Sequence, residues 1–375
     1  MAIRKSSLSP FSQDEHFMAK AVALAWRGAS QTSPNPPVGA VVVRHGKVVG
    51  VGYHRRAGGP HAEVVALGQA GRRARGATLY VTLEPCCHLN KRTPPCVPSI
   101  IESGIKRVVA ATRDPNPKVS GRGLAALRRA GLNVETGVGA REAERLIEPY
   151  RRLVTTGRPF VTLKVAATLD GKIATATGES RWITSPAARE MVHILRARAD
   201  AILVGIRTVL ADDPSLTVRT GSPRGRAPLR VVLDPSLSIP LRAKVLTDGR
   251  AATLIVTTSL SPQSKKAALE QQGTEVLVLP ARHRRVAWRD LLKELGTRGV
   301  ASLLIEGGAE VNASALRERI VDRVLLFLAP KILGGRDALS AVGGESPKHL
   351  GEALPLNVTS VSLVGPDILV EGRFQ

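Results

Sequence analysis

Apolar residues recur along the first part of the chain at two spacings, one typical of helices and the other of strands. A capping box from Ser12 to Glu15, followed by Met18 and Val22 at helical spacing, predicts a first helix. Short apolar runs predict strands at residues 40–44, 47–53, 78–83, 107–111 and 133–136, with helices at residues 61–70 and 123–130. Because strands alternate with helices, we predict a three-layer α/β domain.

The second half of the chain repeats the alternation with a new set of elements. The pattern breaks at residues 149–159, and a chain of 375 residues is long enough for two domains, so we predict domains at residues 1–150 and 151–375. Further buried strands are predicted at residues 160–166, 201–204, 229–233, 253–256, 275–278, 302–305 and 323–328. Helices between most of these strands predict a second α/β domain.

All three cysteines of the chain fall in one stretch, which also contains a histidine and a glutamate at close spacing. His61-Ala62-Glu63, followed by Pro85-Cys86 and later Cys96, matches the signature of zinc-dependent deaminases. One imidazole and two thiolates would give Zn²⁺ three ligands and leave a fourth position for water, as in catalytic sites. Glu63 lies two residues after His61, where a carboxylate can transfer the proton of that water.

Two alternatives to a catalytic zinc site stay open on the sequence. His88 offers a fourth ligand for a closed structural zinc site, and the thiols can also be buried and free. Either Cys86 or Cys87 fits the second ligand position, and the signature position favours Cys86. We expect the strand at residues 78–83 to deliver Cys86 to the start of the next helix, where a thiolate is favoured.

The chain carries a formal charge of +23, which raises the question of nucleic-acid binding. Aromatic residues are only 3% of the chain, and the basic residues (Arg72-Arg73, Arg128-Arg129, Arg151-Arg152 and Arg284-Arg285 among them) are spread along it. We therefore expect a basic surface that attracts phosphorylated small molecules, with no nucleic acid as partner. Residues 1–7 lack the apolar core of a signal peptide, no apolar run is long enough to span a membrane, and a thiolate site suits the reducing cytoplasm.

The second domain offers a candidate phosphate site. The strand at residues 302–305 leads through Glu306-Gly307-Gly308 into a predicted helix, whose first N–H groups can bind a phosphate. An ordinary tight turn between strand and helix is the alternative. Arg196 and Arg219 can clamp a phosphate, although single arginines of this kind are more often on a solvated surface.

Taken together, the two halves resemble the bifunctional deaminase–reductase family of riboflavin biosynthesis. The resemblance covers the chain from about residue 12 and is carried by Asn35-Pro36-Pro37-Val38-Gly39, His61-Ala62-Glu63, Thr82-Leu83-Glu84-Pro85-Cys86, Thr93-Pro94-Pro95-Cys96, Asp114-Pro115-Asn116-Pro117, Leu169-Asp170-Gly171, Gly178-Glu179-Ser180-Arg181-Trp182-Ile183-Thr184, Val209-Leu210-Ala211-Asp212-Asp213-Pro214 and Glu306-Gly307-Gly308. It implies a cytidine-deaminase-like α/β/α domain followed by a dihydrofolate-reductase-like α/β domain.

The resemblance also implies a two-step chemistry and a set of residues. A diaminopyrimidinone ribosyl 5′-phosphate would be deaminated with zinc, and NADPH would then reduce its ribosyl group to ribityl in an enzyme expected to be a homo-oligomer. By similarity, Glu63 is catalytic, and zinc is bound by His61, Cys86 and Cys96. Substrate positions fall on Asn35, His54, His88, Ser180, Arg196, Leu216, Arg219 and Glu306. NADPH positions fall on Ala166, Trp182, Thr208, Asp212, Gly308, Ala309, Glu310, Val311, Asn312, Ala313 and Ser314.

The chain departs from the family pattern in two places. Cys87 stands where a small residue is usual, and the loop at residues 89–92 is one residue longer, which leaves open whether Lys91 or Arg92 reaches the substrate. A deaminase of tRNA would share the first domain and explain the charge, but not the Gly307-Gly308 pair. A zinc-binding RNA protein without enzymatic activity is the third hypothesis, and NADPH binding distinguishes the three.

Overall fold

The computed structural model describes residues 12–88, 93–219, 227–282 and 285–374. The chain forms two compact units that divide between Thr156 and Gly157. Residues 148–156 form a helix, so the boundary predicted at residue 150 lies inside a helical segment. The predictions for residues 1–7, for the loop at residues 89–92 and for Arg284 lie outside the described residues.

The first unit contains five strands and six α-helices among its described residues. They are α1 Gln13–Trp26, β1 Gly39–Arg44, β2 Lys47–Tyr53, α2 Ala62–Ala70, β3 Thr78–Val81, α3 Cys96–Glu102, β4 Arg107–Ala110, α4 Arg122–Arg129, β5 Asn133–Thr136, α5 Ala140–Leu146 and α6 Glu148–Thr156. The strands form one sheet in the order β2-β1-β3-β4-β5. The pairs β1–β2 and β1–β3 are antiparallel, whereas β3–β4 and β4–β5 are parallel.

Helices cover both faces of this sheet. Side chains alternate between the two faces along each strand, so neighbouring residues of one strand pack against different helices. Val41 and Val43 of β1 pack with α1 and α5 on one face. Ala40 and Val42 pack with α2, α3 and α4 on the other. The predicted three-layer arrangement and the capping box at Ser12 are therefore confirmed.

The structure corrects the prediction for the segment that carries Cys86. The strand β3 ends at Val81, and residues 82–88 have no regular structure, so Cys86 does not begin a helix in sequence. The next helix, α3, starts ten residues later at Cys96. Cys86 still reaches its start in space, because the N–H groups of Cys96 and Val97 both donate to the Cys86 carbonyl. Two prolines in the intervening chain, Pro94 and Pro95, oppose a helix that would start at Cys86 and continue through them.

The second unit is built around a larger sheet. Its elements are β6 Phe160–Thr168, β7 Lys172–Ala174, α7 Pro186–Arg198, β8 Ala201–Gly205, α8 Ile206–Asp212, β9 Leu229–Leu233, α9 Lys244–Thr247, β10 Thr253–Thr258, α10 Gln263–Gln271, β11 Glu275–Leu279, β12 Ala281–Arg282, β13 Arg285–Val286, α11 Trp288–Thr297, β14 Ser302–Ile305, α12 Ala309–Arg317, β15 Arg323–Ala329, β16 Leu339–Ser340, β17 Asn357–Val364 and β18 Asp367–Arg373. Nine strands pair in the order β11-β10-β9-β8-β14-β6-β15-β18-β17.

Seven of these nine strands are parallel, and the last two form an antiparallel hairpin at one edge. Leu203 of β8 packs with α11 and α12 on one face, whereas Ile202 and Val204 pack with α8, α9 and α10 on the other. The predicted strands are confirmed in position. The sequence reading missed the β17–β18 hairpin, because its apolar residues are interspersed with serine, threonine and glutamate. No helix of the described chain is both long and apolar enough to cross a membrane.

Candidate metal and substrate sites

The three predicted zinc ligands lie together in the first unit. The His61 Nδ1 atom is 3.5 Å from the Cys86 Sγ atom and 3.2 Å from the Cys96 Sγ atom. Tetrahedral zinc with bonds of about 2.1–2.3 Å would place its ligand atoms roughly 3.6 Å apart, so the three side chains fit this metal. Among the described residues they form the one cluster of this kind, and neither Cys87 nor His88 belongs to it.

Thr93 contacts the far side of the His61 ring, which the sequence reading missed. Its Oγ1 atom lies 3.0 Å from the His61 Nε2 atom. Because the Nδ1 atom faces the two thiols, Nε2 carries the ring proton and donates it to Thr93. A hydrogen bond of this kind orients a metal-binding histidine and selects its tautomer. The position of Thr93 next to Pro94-Pro95-Cys96 was the signal available in the sequence.

Glu63 lies on the first turn of α2, which His61 precedes as the N-cap residue. Its side chain is only 3% exposed. Burial raises the pKa of the Glu63 carboxyl, the negative charge of Cys86 raises it further, and the charge of His61 opposes both. A carboxyl group so placed, beside the three ligand atoms and shielded from solvent, is suited to proton transfer.

Asn35 and His54, both predicted to bind substrate, contact each other. The His54 Nδ1 atom is 3.0 Å from the Pro60 carbonyl oxygen. Because a carbonyl oxygen only accepts, Nδ1 carries the ring hydrogen and donates a hydrogen bond to it. Nε2 then accepts the side-chain amide of Asn35 at 3.4 Å. The His54 ring also lies edge-on to His61, with ring centroids 5.2 Å apart. The half-buried His88 follows Cys86 by two residues.

Glu306 is the centre of a buried charged cluster in the second unit, directly after strand β14. Its carboxylate accepts two hydrogen bonds from Arg196, from Nε at 2.6 Å and from Nη2 at 3.0 Å. Lys164 on β6 adds an ion pair at 3.2 Å, which the sequence reading missed because Lys164 is 142 positions away. Burial raises the pKa of Glu306, but the charges of Lys164 and Arg196 outweigh it and lower the pKa to about 2.

Two of the predicted positions in the second unit, Ser180 for the substrate and Asp212 for NADPH, contact each other. The Ser180 hydroxyl donates to Asp212 at 3.4 Å, and the Arg181 guanidinium donates to the Asp212 carbonyl at 2.6 Å. Trp182 is 63% exposed, with the Arg189 guanidinium 4.5 Å from its ring centroid. Ala166 lies on β6 opposite Phe327.

The predicted phosphate site lies where α12 begins, with Gly308 as its N-cap residue. A Cβ atom on Gly308 would lie 3.6 Å from the Thr208 hydroxyl, so the two predicted positions are neighbours. The side chain of Glu310 is turned to Arg285 and to the N–H of Gly344.

The N–H groups at residues 308–311 have no partner within the helix, and they fit a phosphate group. From Asn312 onward the N–H groups bond within the helix, and the side chains of Asn312 and Ser314 bind Ala341 and Trp288.

Leu216 and Arg219 lie on the loop that follows α8. Leu216 is 3% exposed and has a left-handed backbone with φ of 48°, whereas Arg219 is exposed. The Arg196 Nη1 group donates to the carbonyl of Thr217, which lies between them. Arg196 therefore joins the Glu306 cluster to this loop.

Comparison with known proteins places this geometry in a family. The model of the RibD C-terminal domain matches residues 159–370, and that of the cytidine and deoxycytidylate deaminase zinc-binding region matches residues 11–112. Riboflavin biosynthesis protein RibD of Aquifex aeolicus is 48% identical, over 95% of this chain and 97% of its own. The chain belongs to the RibD family of riboflavin biosynthesis proteins.

Other RibD proteins are similar over nearly their whole length. The RibD protein of Escherichia coli is 41% identical, over 95% of this chain and 98% of its own. A structure of Acinetobacter baumannii RibD has a TM-score of 0.86 at 38% identity, covering 97% of this chain and 99% of that one. A Thermotoga maritima deaminase/reductase has a TM-score of 0.85 at 38% identity, with the same coverage.

RibD membership confirms the predicted fold and chemistry. The chain has a cytidine-deaminase-like domain followed by a dihydrofolate-reductase-like domain, and it is a bifunctional deaminase and reductase of riboflavin biosynthesis. The predicted cofactors, zinc and NADPH, are confirmed at the level of the family. The hypotheses of a tRNA deaminase and of a zinc-binding RNA protein were wrong. The individual residue roles stay predictions.

Proposed function

We propose that the first unit hydrolytically deaminates a pyrimidine bearing a ribosyl 5′-phosphate and that the second unit reduces the ribosyl group with NADPH. The Thermotoga maritima relative is described as a diaminohydroxyphosphoribosylaminopyrimidine deaminase and 5-amino-6-(5-phosphoribosylamino)uracil reductase, and we propose the same substrates here. The observation that carries the proposal is the buried Glu63 carboxyl beside the ligand atoms of His61, Cys86 and Cys96. A cytoplasmic location stays a prediction.

In the proposed deamination, His61, Cys86 and Cys96 would hold zinc, and zinc bound there would lower the pKa of water toward neutrality. Glu63 takes a proton from the attacking water and returns it to the amino group, which leaves as ammonia. Asn35 donates through its side-chain N–H to His54, so its carbonyl oxygen is left to accept an N–H group of the pyrimidine.

In the proposed reduction, the hydride would come from NADPH bound to the second unit. The N–H groups at the start of α12 and the Thr208 hydroxyl are placed to bind its phosphates. Arg219 is exposed and can bind the substrate phosphate, whereas each nitrogen of Arg196 already donates to Glu306 or Thr217. We therefore assign the phosphate contact to Arg219 and the placement of Glu306 to Arg196.

The substitution Glu63→Gln tests the deaminase assignment. An amide cannot accept the proton of water, so we expect ammonia release to fall by at least about 100-fold while the purified protein keeps its zinc. The matched control is Glu102→Gln, at an exposed position on α3. This variant should leave ammonia release and zinc content unchanged. Near-normal ammonia release by the Glu63 variant would remove Glu63 from the mechanism.

We also propose that the protein forms a homo-oligomer through the β17–β18 hairpin. Val361 and Leu363 on β17 are 64% and 75% exposed, and they lie opposite Val370 and Ile368 of β18 on the same face. Apolar side chains on an edge strand of this kind mark an association surface, and a second copy of the chain presents the same apolar face.

Val361→Lys should therefore reduce the molecular mass measured by sedimentation to that of one chain. Ser362→Lys, on the opposite face of β17, is the control and should leave the mass unchanged. A wild-type protein that sediments as a single chain would contradict the proposal.

A further inference from the structure

The loop that carries the predicted substrate residues is held at every second residue by a side chain from another element. The Ser215 carbonyl accepts from Arg230 at 3.2 Å, and the Thr217 carbonyl accepts from Arg196 at 3.3 Å. The N–H of Arg219 donates to the His193 Nδ1 atom at 3.4 Å. The loop is thus anchored at residues 215, 217 and 219, with Leu216 enclosed between the first two anchors.

Arg230 is the most deeply buried of the three anchoring side chains. It lies on strand β9 and is 1% exposed. Beyond the Ser215 carbonyl, its guanidinium donates to the Asp248 carboxylate at 2.7 Å and to the Ala251 carbonyl at 2.5 Å. The guanidinium of Arg230 therefore joins the loop to the segment that follows α9. This segment is fixed relative to the sheet, because α9 packs into the hydrophobic core on one face of that sheet.

A second contact joins the start of the same loop to α9. Asp213, where α8 ends, accepts the N–H of Lys244, the first residue of α9, at 2.8 Å. Asp213 is thus bound directly to α9, and Ser215, two residues later, is connected to the end of α9 through Arg230. The backbone that follows must then enter the left-handed conformation of Leu216, which a residue with a side chain adopts only when its surroundings enforce it.

Burying the charges of Arg230 and Asp248 carries a desolvation penalty that can exceed the attraction between them. Replacing a buried ion pair by apolar residues of similar volume is often neutral or stabilising, so stability alone does not account for Arg230 and Asp248. What apolar residues would not supply is a donor for the Ser215 carbonyl.

We propose that Arg230 is a positioning residue of the reductase: through the Ser215 carbonyl it holds the loop in the conformation that presents the backbone of Leu216 and the side chain of Arg219 to the substrate. This inference rests on the proposed roles of Leu216 and Arg219. Arg230 itself is enclosed by protein and acts only through the loop.

The test is steady-state reduction of the deaminated substrate by the Arg230→Lys variant of the full chain. A lysine keeps the charge beside Asp248 but has no planar fork to reach three acceptors. We expect the KM for the deaminated substrate to rise about tenfold or more, with the Kd for NADPH and the deaminase activity within about twofold of the wild type. An unchanged KM would overturn the proposal.

Two further variants separate positioning from a general loss of stability. Val231→Ala removes buried volume from the neighbouring position on β9, in a core cluster that does not contain Leu216, so it should lower stability and leave the KM unchanged. An equal rise in KM for this variant would overturn the proposal. The double substitution Arg230→Met with Asp248→Leu removes the buried pair without leaving a lone charge and should fold while showing the raised KM.

Arg219→Ala distinguishes this inference from the function on which it rests. We expect Arg219→Ala to raise the same KM, and its combination with Arg230→Lys to add little more, because both changes act through one loop. If Arg219→Ala leaves the KM unchanged, the placement of the substrate at this loop fails, and the inference fails with it. If Arg219→Ala raises the KM and Arg230→Lys does not, the inference alone is overturned. Additive effects in the combined variant would also overturn it.

Discussion

Cys86 and Cys87 are chemically identical neighbours, and their surroundings distinguish them. The Cys86 Sγ atom lies at the His61 ring and accepts the N–H of Cys96 at 3.3 Å, from the first residue of α3. A helix N-terminus favours a thiolate at that position. The Cys87 side chain lies outside the cluster of ligand atoms that His61, Cys86 and Cys96 form.

Cys86→Ser should therefore lose zinc, whereas Cys87→Ser should retain it, because an alcohol does not replace a thiolate as a zinc ligand. The measurement is the zinc content of the two purified variants after dialysis, with the wild-type protein beside them. Each variant acts as the control for the other, since both remove one sulfur from adjacent positions. Zinc retained by the Cys86 variant and lost from the Cys87 variant would reverse the assignment.

At the scale of elements, the turn before Cys86 is held by a buried carboxylate. Glu84 accepts four backbone N–H groups, those of Asp114, Gly121, Gly123 and Leu124. Three of these lie at the start of α4, where the helix leaves N–H groups unpaired and favours a negative charge. Glu84 thus fixes α4 against the segment that carries Cys86.

Gly123 permits this contact because it has no side chain. A Cβ atom there would come 2.0 Å from the Pro85 carbonyl oxygen, so Gly123→Ala must push α4 away from the Glu84-Pro85-Cys86 segment. We expect zinc affinity to fall by about 10–100-fold, as when residues that orient metal ligands are changed. The measurement is competition with a chelator.

The matched control for Gly123→Ala is Gly68→Ala, at a helical position of α2 where nothing lies within 4 Å of the added Cβ atom. This change should keep zinc affinity and raise helix stability by up to about 1 kcal/mol. Equal zinc affinity in the two variants would show that α4 does not constrain the metal site.

At the scale of the whole molecule, each unit has its own sheet and its own hydrophobic core. The core clusters around β1 and β3 contain only residues of the first unit, and those around β6, β8 and β15 only residues of the second. A chain segment with a complete core is expected to fold alone.

A fragment that starts at Gly157 should therefore fold, bind NADPH and reduce the deaminated substrate with a KM close to that of the full chain. The start at Gly157 avoids cutting within α6, which runs to Thr156. The full-length protein is the control, measured in the same assay. A folded fragment that binds NADPH but does not reduce the substrate would show that the first unit is needed to complete the reductase site.

The sequence by itself determined the features that depend on local spacing. His61 and Glu63 are two residues apart, so a helix that begins between them places both at its N-terminus, as the structure shows. The apolar runs of the parallel strands were equally evident, because strands buried on both faces are continuously apolar. The motifs around these runs were specific enough, as a set, for the amino-acid sequence alone to indicate the family.

The tertiary structure alone decided which distant residues meet. Lys164 reaches Glu306 because β6 and β14 are adjacent strands, and Arg230 reaches Ser215 because β9 lies beside the strand that leads to that loop. Thr93 was selected in the same way, by its contact with the His61 ring. Residue pairs of this kind leave no periodic signal in the sequence. The pairing of strands brings the two residues together in space, whatever their separation along the chain.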